Sequence, residues 1–210
     1  MLTRRAALAA LGAGAALAAM GAGAAVPAFA QYLRPGEDDA APSLRRLAKA
    51  KGLLFGAANN NYWLGFGDFA SAFARDCAIL VPEYELKRDL TEPRPGAYDF
   101  SAADRLDDYA RAHGMRYRGH PLVWYASNPP WLETAVLAAR DERIFADYIR
   151  ATASHFAGRM HSWDVVNEAI EIADGRADGL RDCAWLRRFG PAYIDAAFRA
   201  ARAARNAASI

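Results

Sequence analysis

The stretch Ser162-Trp163-Asp164-Val165-Val166-Asn167-Glu168 decides how the rest of the chain is read. Its apolar centre, Val165-Val166, is short and β-branched and follows a Gly-Arg-Met-His lead-in, a pattern that predicts a buried strand over 162–168. The strand ends in an amide and a carboxyl side by side, Asn167 and Glu168. In a barrel of parallel strands, polar residues at carboxyl-terminal strand ends are where chemistry sits, because the loops there leave a floor open to substrate. A carboxyl group partly desolvated by barrel walls has its charged form disfavoured, which suits a general acid. An ion pair between Glu168 and a neighbouring arginine would use the same residue with no chemistry at all.

Working outward, Ser43 to Lys51 reads as a short helix across the bottom of such a barrel, and Leu53 to Ala57 as a first strand. Asp68 is placed to cap a helix running to Cys77, with Phe69 and Phe73 on one face. Ala78 to Val81 is a second buried strand halted by Pro82. The Pro/Gly-broken segment from Glu92 to Phe100 is a loop. Ser101, with Asp104 three residues on, opens a helix with Leu106 and Tyr109 inward, closed by His113-Gly114. Arg116 to Trp124 is the third strand and carries His120 and Trp124 near its end. Ile144, Phe145, Tyr148, Ile149, Thr152 and Phe156 define a helix from Asp141 to Gly158. Pro191 starts the last helix, with Ile194, Ala197, Phe198 and Ala201 inward and Arg199, Arg202 and Arg205 outward. Strand and helix therefore alternate four times, which argues for a parallel sheet with crossover helices. The fold class expected is α/β, of (β/α)8 TIM-barrel type. A closed barrel takes roughly 250 residues, so this chain is expected to supply about four βα units, a barrel truncated to half.

The 210 residues are 53% hydrophobic and 24% charged, with 26 basic against 24 acidic side chains and a net charge of +2. That balance argues against nucleic acid as a partner and against an anionic membrane surface. Residues 1–30 read as a secretory leader: Arg4-Arg5, an Ala/Gly/Leu run from Ala6 to Ala25, and Ala28-Phe29-Ala30 as a cleavage signal before Gln31. The arginine pair and the weak hydrophobicity suggest the twin-arginine route, hence an exported, periplasmic or extracellular protein. The run is long enough for a membrane anchor, but Ala and Gly insert poorly and no stable insertion is expected. Residues 31–50 are a tether and short helix, and 51–210 the partial barrel. Cys77 and Cys183 lie far apart and are read as unpaired and part-buried. With no zinc-ligand spacing and no phosphate-cradling loop, neither a metal nor a cofactor is expected.

Trp163-Asp164-Val165-Val166-Asn167-Glu168-Ala169 resembles the acid/base signature of family 10 glycoside hydrolases, the endo-1,4-β-xylanases. Gly119-His120-Pro121-Leu122-Val123-Trp124 resembles the strand-three motif Gly-His-Thr-Leu-Val-Trp of that family. Glu92-Pro93, Gly96 and Tyr98-Asp99-Phe100 match its second-strand loop, and Pro82-Glu83 with Lys87 the piece before it. The resemblance runs from about Gly52 to Asn206, with its four motifs in order. It implies hydrolysis of β-1,4-xylan with retention of configuration. By the same resemblance Glu168 is the general acid and then the base, and Asn167 binds the 2-hydroxyl at the cleavage point. His120 and Lys87 hold hydroxyls of the same or the adjoining sugar, Glu83 binds further along the glycone side, and Trp124 is an apolar wall. Sugars offer paired hydroxyls to carboxylates and amides and apolar ring faces to aromatics. Without the motifs, His120 would read as a satisfied interior histidine and Trp124 as core.

A retaining glycosidase needs two carboxylates about 5–5.5 Å apart, and the resemblance puts the nucleophile on a seventh strand, beyond these residues. Glu171 follows Glu168 by three, but no fold argument carries it across the sugar. The expectation is an incomplete or frame-disrupted gene product carrying the acid/base half of the site. Its partner would be xylan or xylo-oligosaccharides. The alternatives are a non-catalytic half-barrel that binds polysaccharide or self-associates through its exposed strand edges, and a β-glucan-acting enzyme of the same barrel. Two residues depart from the family pattern: Tyr84 stands where Asn is usual and Tyr125 where His is usual, both on the glycone side. A bulkier side chain with one hydroxyl predicts a reshaped sugar site, so Tyr84→Asn and Tyr125→His are expected to change xylobiose affinity. Titration calorimetry showing the parent affinity in both variants would refute this.

Overall fold

The computed structural model describes residues 43–207; the leader and the 31–42 tether lie outside the described residues. Four strands, β1 (Gly56–Asn59), β2 (Ile79–Pro82), β3 (Arg116–Gly119) and β4 (Met160–Trp163), form one parallel sheet in chain order. Gly56 pairs with Ile79, Ile79 with Arg116 and Gly119 with Trp163. Helix α1 (Leu44–Lys49) precedes the sheet, and α2 (Asn61–Leu64) and α3 (Gly67–Asp76) link β1 to β2. Helices α4 (Arg88–Thr91) and α5 (Ser101–Ala112) link β2 to β3, and α6 (Leu132–Ala138) and α7 (Arg143–His155) link β3 to β4. A 3-10 turn (Ile172–Asp174), α8 (Ala184–Phe189) and α9 (Ala192–Ala207) follow.

The long helices α3, α5 and α7 bury one face, and the starts of α1, α5 and α7 are held by a polar side chain. Ser43 Oγ accepts the Arg46 N–H at the start of α1. Asp99 accepts the Ser101 N–H at 2.9 Å and Asp141 the Arg143 N–H at 3.0 Å. Leu80, Leu86, Leu106, Tyr117 and Phe156 form one apolar cluster; Val123, Phe145, Ile149, Val165, Trp185 and Ala197 are in the other. Trp163 packs against both. Arg45 ties α1 to the closing turn of α5 through the His113 and Gly114 carbonyls, beside the starts of β2 and β3. Two ion pairs are sunk among these helices. Arg88 meets Glu92 at 2.8 Å and Arg159 meets the buried Asp107 at 2.7 Å.

Several boundaries differ from the sequence reading. β1 starts at Gly56, not Leu53: Leu53, Leu54 and Phe55 are exposed ahead of it, and pairing begins only where Ala78 donates to the Phe55 carbonyl. Asp68 lies inside the first turn of α3 and does not cap it. Asp104 does not complete a capping box either; it accepts from His155 and Arg159 across the interface with α7. β3 stops at Gly119 because Pro121, joined to His120 by a cis peptide, has no N–H for the ladder. β4 likewise covers Met160–Trp163 and not 162–168. Past both ends the chains stay parallel through single bonds, Leu122 and Val123 donating to the Asp164 and Val165 carbonyls, and Asn167 to that of Val123. Ile194, Ala197 and Ala201 face the core as read, but Phe198 is 52% exposed, with Tyr193, Ala196 and Ala204 buried beside them. Cys77 and Cys183 are both buried and free. Among the described residues no helix is long and apolar enough to cross a membrane, and no group of three or more acidic, His or Cys side chains has metal-site geometry.

A Cβ on Gly119 would overlap the Trp163 indole across the β3–β4 pair. Gly119→Ala is therefore expected to lower stability by about 1–3 kcal/mol, the range for overpacking, read as a fall in the urea midpoint. Burial, and then the Asp76 charge, pushes the Cys77 thiol from about 9 up to about 11. The folded chain thus holds this proton more tightly than the unfolded chain. Its contribution is complete below pH 9 and lost as the pH climbs from 9 to 11. Urea midpoints should fall over that window, and Cys77→Ala should fall less; an unchanged slope would contradict the assignment.

Candidate active site

The residues singled out from sequence fall on the carboxyl-terminal ends of the four strands and the segments just after them. β1 ends in Asn59, followed by Asn60, whose side chain both caps α2 and donates to Glu83 Oε2 at 2.7 Å. Glu83 follows β2, held also by its own N–H bonding the Asn59 carbonyl at 2.8 Å. Lys87, just before α4, sets its ammonium 4.5 Å from the Tyr84 ring centre and 5.1 Å from that of Trp124. The cation thus spans the segments after β2 and β3. Glu83 raises the Tyr84 phenol above its ordinary value, through its charge first and a hydrogen bond second.

His120 and Asp164 close the ends of β3 and β4. The imidazole Nδ1 lies 3.0 Å from Asp164 Oδ2, and Arg118 takes the other carboxylate oxygen. A carboxylate oxygen accepts, so it fixes the imidazole proton on Nδ1 and leaves Nε2 for another partner. Trp124 stands 6.1 Å from the imidazole, centre to centre, and donates its indole N–H to Glu168 Oε2 at 2.9 Å. Its own carbonyl accepts from the Trp185 indole at 2.8 Å, which anchors it to the apolar core.

Glu168 adopts φ 51°, the left-handed region, which costs a non-glycine residue about 1–2 kcal/mol and persists only where the surroundings impose it. Its carboxyl is 46% exposed. The desolvated floor expected from sequence is therefore not built by the described residues, which supply only one wall. Asn167 is half-buried, with its main chain tied to Val123. Glu171 is occupied elsewhere: its carboxylate caps the 3-10 turn through the Ala173 N–H and pairs with Arg181 at 3.1 Å.

The structure thus brings Lys87, His120, Trp124 and Glu168 around one indole, with Glu83 one contact further along through Tyr84. Trp124 is more than an apolar wall, since its N–H holds the candidate acid. Three participants escaped the sequence reading. Asn60 follows a strand in an Asn-Asn-Asn run, a signal at hand once the strand end is known. Asp164 lay inside the quoted motif, but its tie to His120 needs the β3–β4 register. Arg181 is distant in sequence and carries no local signal. Two cavities lie to the side: one of about 460 Å³ beside Tyr98, Trp131 and Tyr148, and one of about 440 Å³ that runs from Tyr125 to Pro129 and Asp182. The site itself is an open face.

Comparison with known proteins places this arrangement. The profile of Glycosyl hydrolase family 10 matches residues 43–210. Over 173 residues the chain is 33% identical to an endo-1,4-beta-xylanase A of Phanerodontia chrysosporium, covering 80% of this chain and 41% of that one. It is 37% identical over 122 residues to a beta-1,4-xylanase of Dictyoglomus thermophilum, covering 57% and 33%. Among solved structures, native xylanase 10B from Thermotoga maritima superposes with a TM-score of 0.68 at 33% identity, covering 78% of this chain and 51% of that one. Xylanase 10B from Thermotoga petrophila in complex with xylobiose gives 0.69 at 31%, covering 78% and 50%. The match spans a third to a half of the length of these relatives. The parallel sheet with its crossover helices is four successive βα units of a (β/α)8 barrel, and the chain belongs to glycosyl hydrolase family 10.

Proposed function

We propose that this chain carries the acid/base side of a retaining endo-1,4-β-xylanase. The single observation that carries the reading is the Glu168 carboxyl, presented at the end of β4 and held by the Trp124 indole. Glu168 protonates the leaving glycosidic oxygen as the C1–O bond breaks, while a second carboxylate of the completed barrel bonds to C1. It then takes a proton from the water that releases the sugar. Lys87 and the free Nε2 of His120 reach sugar hydroxyls as donor and acceptor, Asn167 meets the 2-hydroxyl, and Glu83 binds further along the glycone side. The xylobiose bound by the Thermotoga petrophila relative supports a xylo-oligosaccharide as ligand. The arginine pair and small-residue cleavage signal of the first thirty residues support export.

A second reading has its own observation. Leu53 and Leu54 just before β1, and Tyr62, Trp63 and Phe66 just after it, are exposed, and β1 is an edge strand among the described residues. An apolar edge of that kind favours cover by further strands, either the rest of a barrel or a second copy of this chain. Sedimentation of the isolated chain separates these: a dimer favours the second copy.

The catalytic reading is tested by joining the chain to the carboxyl-terminal half of the Thermotoga maritima xylanase 10B barrel. The product is expected to release reducing sugar from xylan and not from cellulose. Residues 31–210 alone, with one carboxylate of the pair, should release none. Glu168→Gln in the completed barrel should cut kcat by about 10²–10⁴-fold, the contribution of a placed general acid, with KM little changed. Release from cellulose but not xylan, or full activity in the Gln variant, would overturn the reading.

A further inference from the structure

We propose that Arg181 is a positioning residue for Glu168 and that the Tyr125 ring is the seat that holds it. The inference deepens the reading above and rests on Glu168 as the acid/base. Four contacts converge on this guanidinium. Its Nε donates to the Glu168 main-chain carbonyl at 2.8 Å, and its Nη2 pairs with Glu171 at 3.1 Å. The same nitrogen stands 3.9 Å from Glu168 Oε2, and the guanidinium carbon lies 3.9 Å from the centre of the Tyr125 ring. Arg181 is 16% exposed, unusually sheltered for an arginine beside an open face.

The loop after β4 delivers it there. Ile170 and Leu180 pair antiparallel, Glu171 donates to the Gly179 carbonyl, and Arg181 donates from its own main chain to that of Ala169. Gly175 and Gly179, at φ 70° and 68°, allow the chain to double back in so few residues. The chain thereby brings Arg181 back to Glu168, thirteen residues earlier.

The geometry separates holding from quenching. The fork grips the main chain of Glu168, where the left-handed backbone needs a constraint, through a planar donor fixed on an aromatic face. A direct bidentate bond to the carboxylate would tie up the oxygens that must exchange a proton. Glu171 prevents that by taking Nη2 for itself, leaving the charge within reach of the Glu168 carboxyl but outside hydrogen-bond distance. Tyr125 stands where the family usually has His, so this residue change supplies the flat, uncharged face on which the guanidinium lies. Tyr125 is half-exposed, edge-on to Trp124 at 5.7 Å, which places it against both holders of the acid.

The test reads the Trp124 indole N–H by ¹⁵N NMR in the full 210-residue chain, with its resonance identified by Trp124→Phe. In Arg181→Met this resonance is expected to move to the position of an unbonded indole, while the Trp185 indole holds still. Tyr125→Phe, which keeps the ring face, should leave the resonance in place, and Tyr125→Ala should move it as Arg181→Met does. These two variants also decide the matter if Arg181→Met does not fold. A Trp124 resonance that ignores both Arg181→Met and Tyr125→Ala, or that moves equally in Tyr125→Phe, overturns the proposal. In the completed barrel, Arg181→Met should lower kcat on xylan at least tenfold with KM unchanged. It should spare kcat/KM for a xylobioside whose dinitrophenolate leaving group needs no proton, because that constant reports the step before Glu168 acts as base; equal loss of kcat/KM on both substrates also overturns it. A parent barrel inert on either substrate counts against the xylanase reading instead, and the indole signal then decides Arg181 alone.

Discussion

The close approach of β3 and β4 at Gly119 and Trp163 is the constraint on which the rest of the site depends. Only a residue without a side chain lets the indole lie flat across the neighbouring strand, and that indole joins the two apolar clusters. The contact also fixes the register at the end of the pair. Asp164 follows Trp163 and His120 follows Gly119, so carboxylate and imidazole arrive side by side. Three residues further on, Val123 and Val166 still run parallel, which brings Trp124 level with Asn167 and Glu168. The chemistry is thus set by a packing contact at the seam, several residues below it.

The second support is polar and lies under the β2 loop. Arg88 and Glu92 pair in a buried setting, the guanidinium stacks against Tyr148, and Tyr148 bonds to Thr91 at 2.8 Å. Breaking such a pair leaves a stranded charge and is costly, even where the intact pair adds little stability of its own. Its role here is positional: it locks α4, and Lys87 at the start of α4 is aimed at the indole as a result. Glu92 also receives the Gly96 N–H, so the same carboxylate shapes the Pro/Gly-broken turn.

Much of this was legible in the residues. The alternation of short apolar runs with amphipathic helices is a direct imprint of burial, and it located four strands and the long helices α3, α5, α7 and α9. The strand ends were harder to read. Val165-Val166 and Leu122-Val123 look like strand because they are buried, yet burial does not require a regular ladder, and Pro121 interrupts one. The apolar triplet 53–55 misled in the opposite direction, being apolar yet exposed and ahead of the first paired residue. Short helices such as α2, α4 and α6 have too few turns to show a period. Site residues carried by a motif were readable from that motif. Arg181 was not, because its place depends on a loop returning on itself, and a returning loop leaves no periodic trace in sequence.

Strand pairing strictly between sequence neighbours has a consequence for how such a scaffold changes over time. Each strand end contributes its own group to the open face of the site, and each is carried on a connection that the others do not share. A tyrosine at 84 or 125 therefore alters the side chains that it touches without re-threading the strands beneath. The rim can change by single exchanges while the seam of glycine and indole beneath stays fixed.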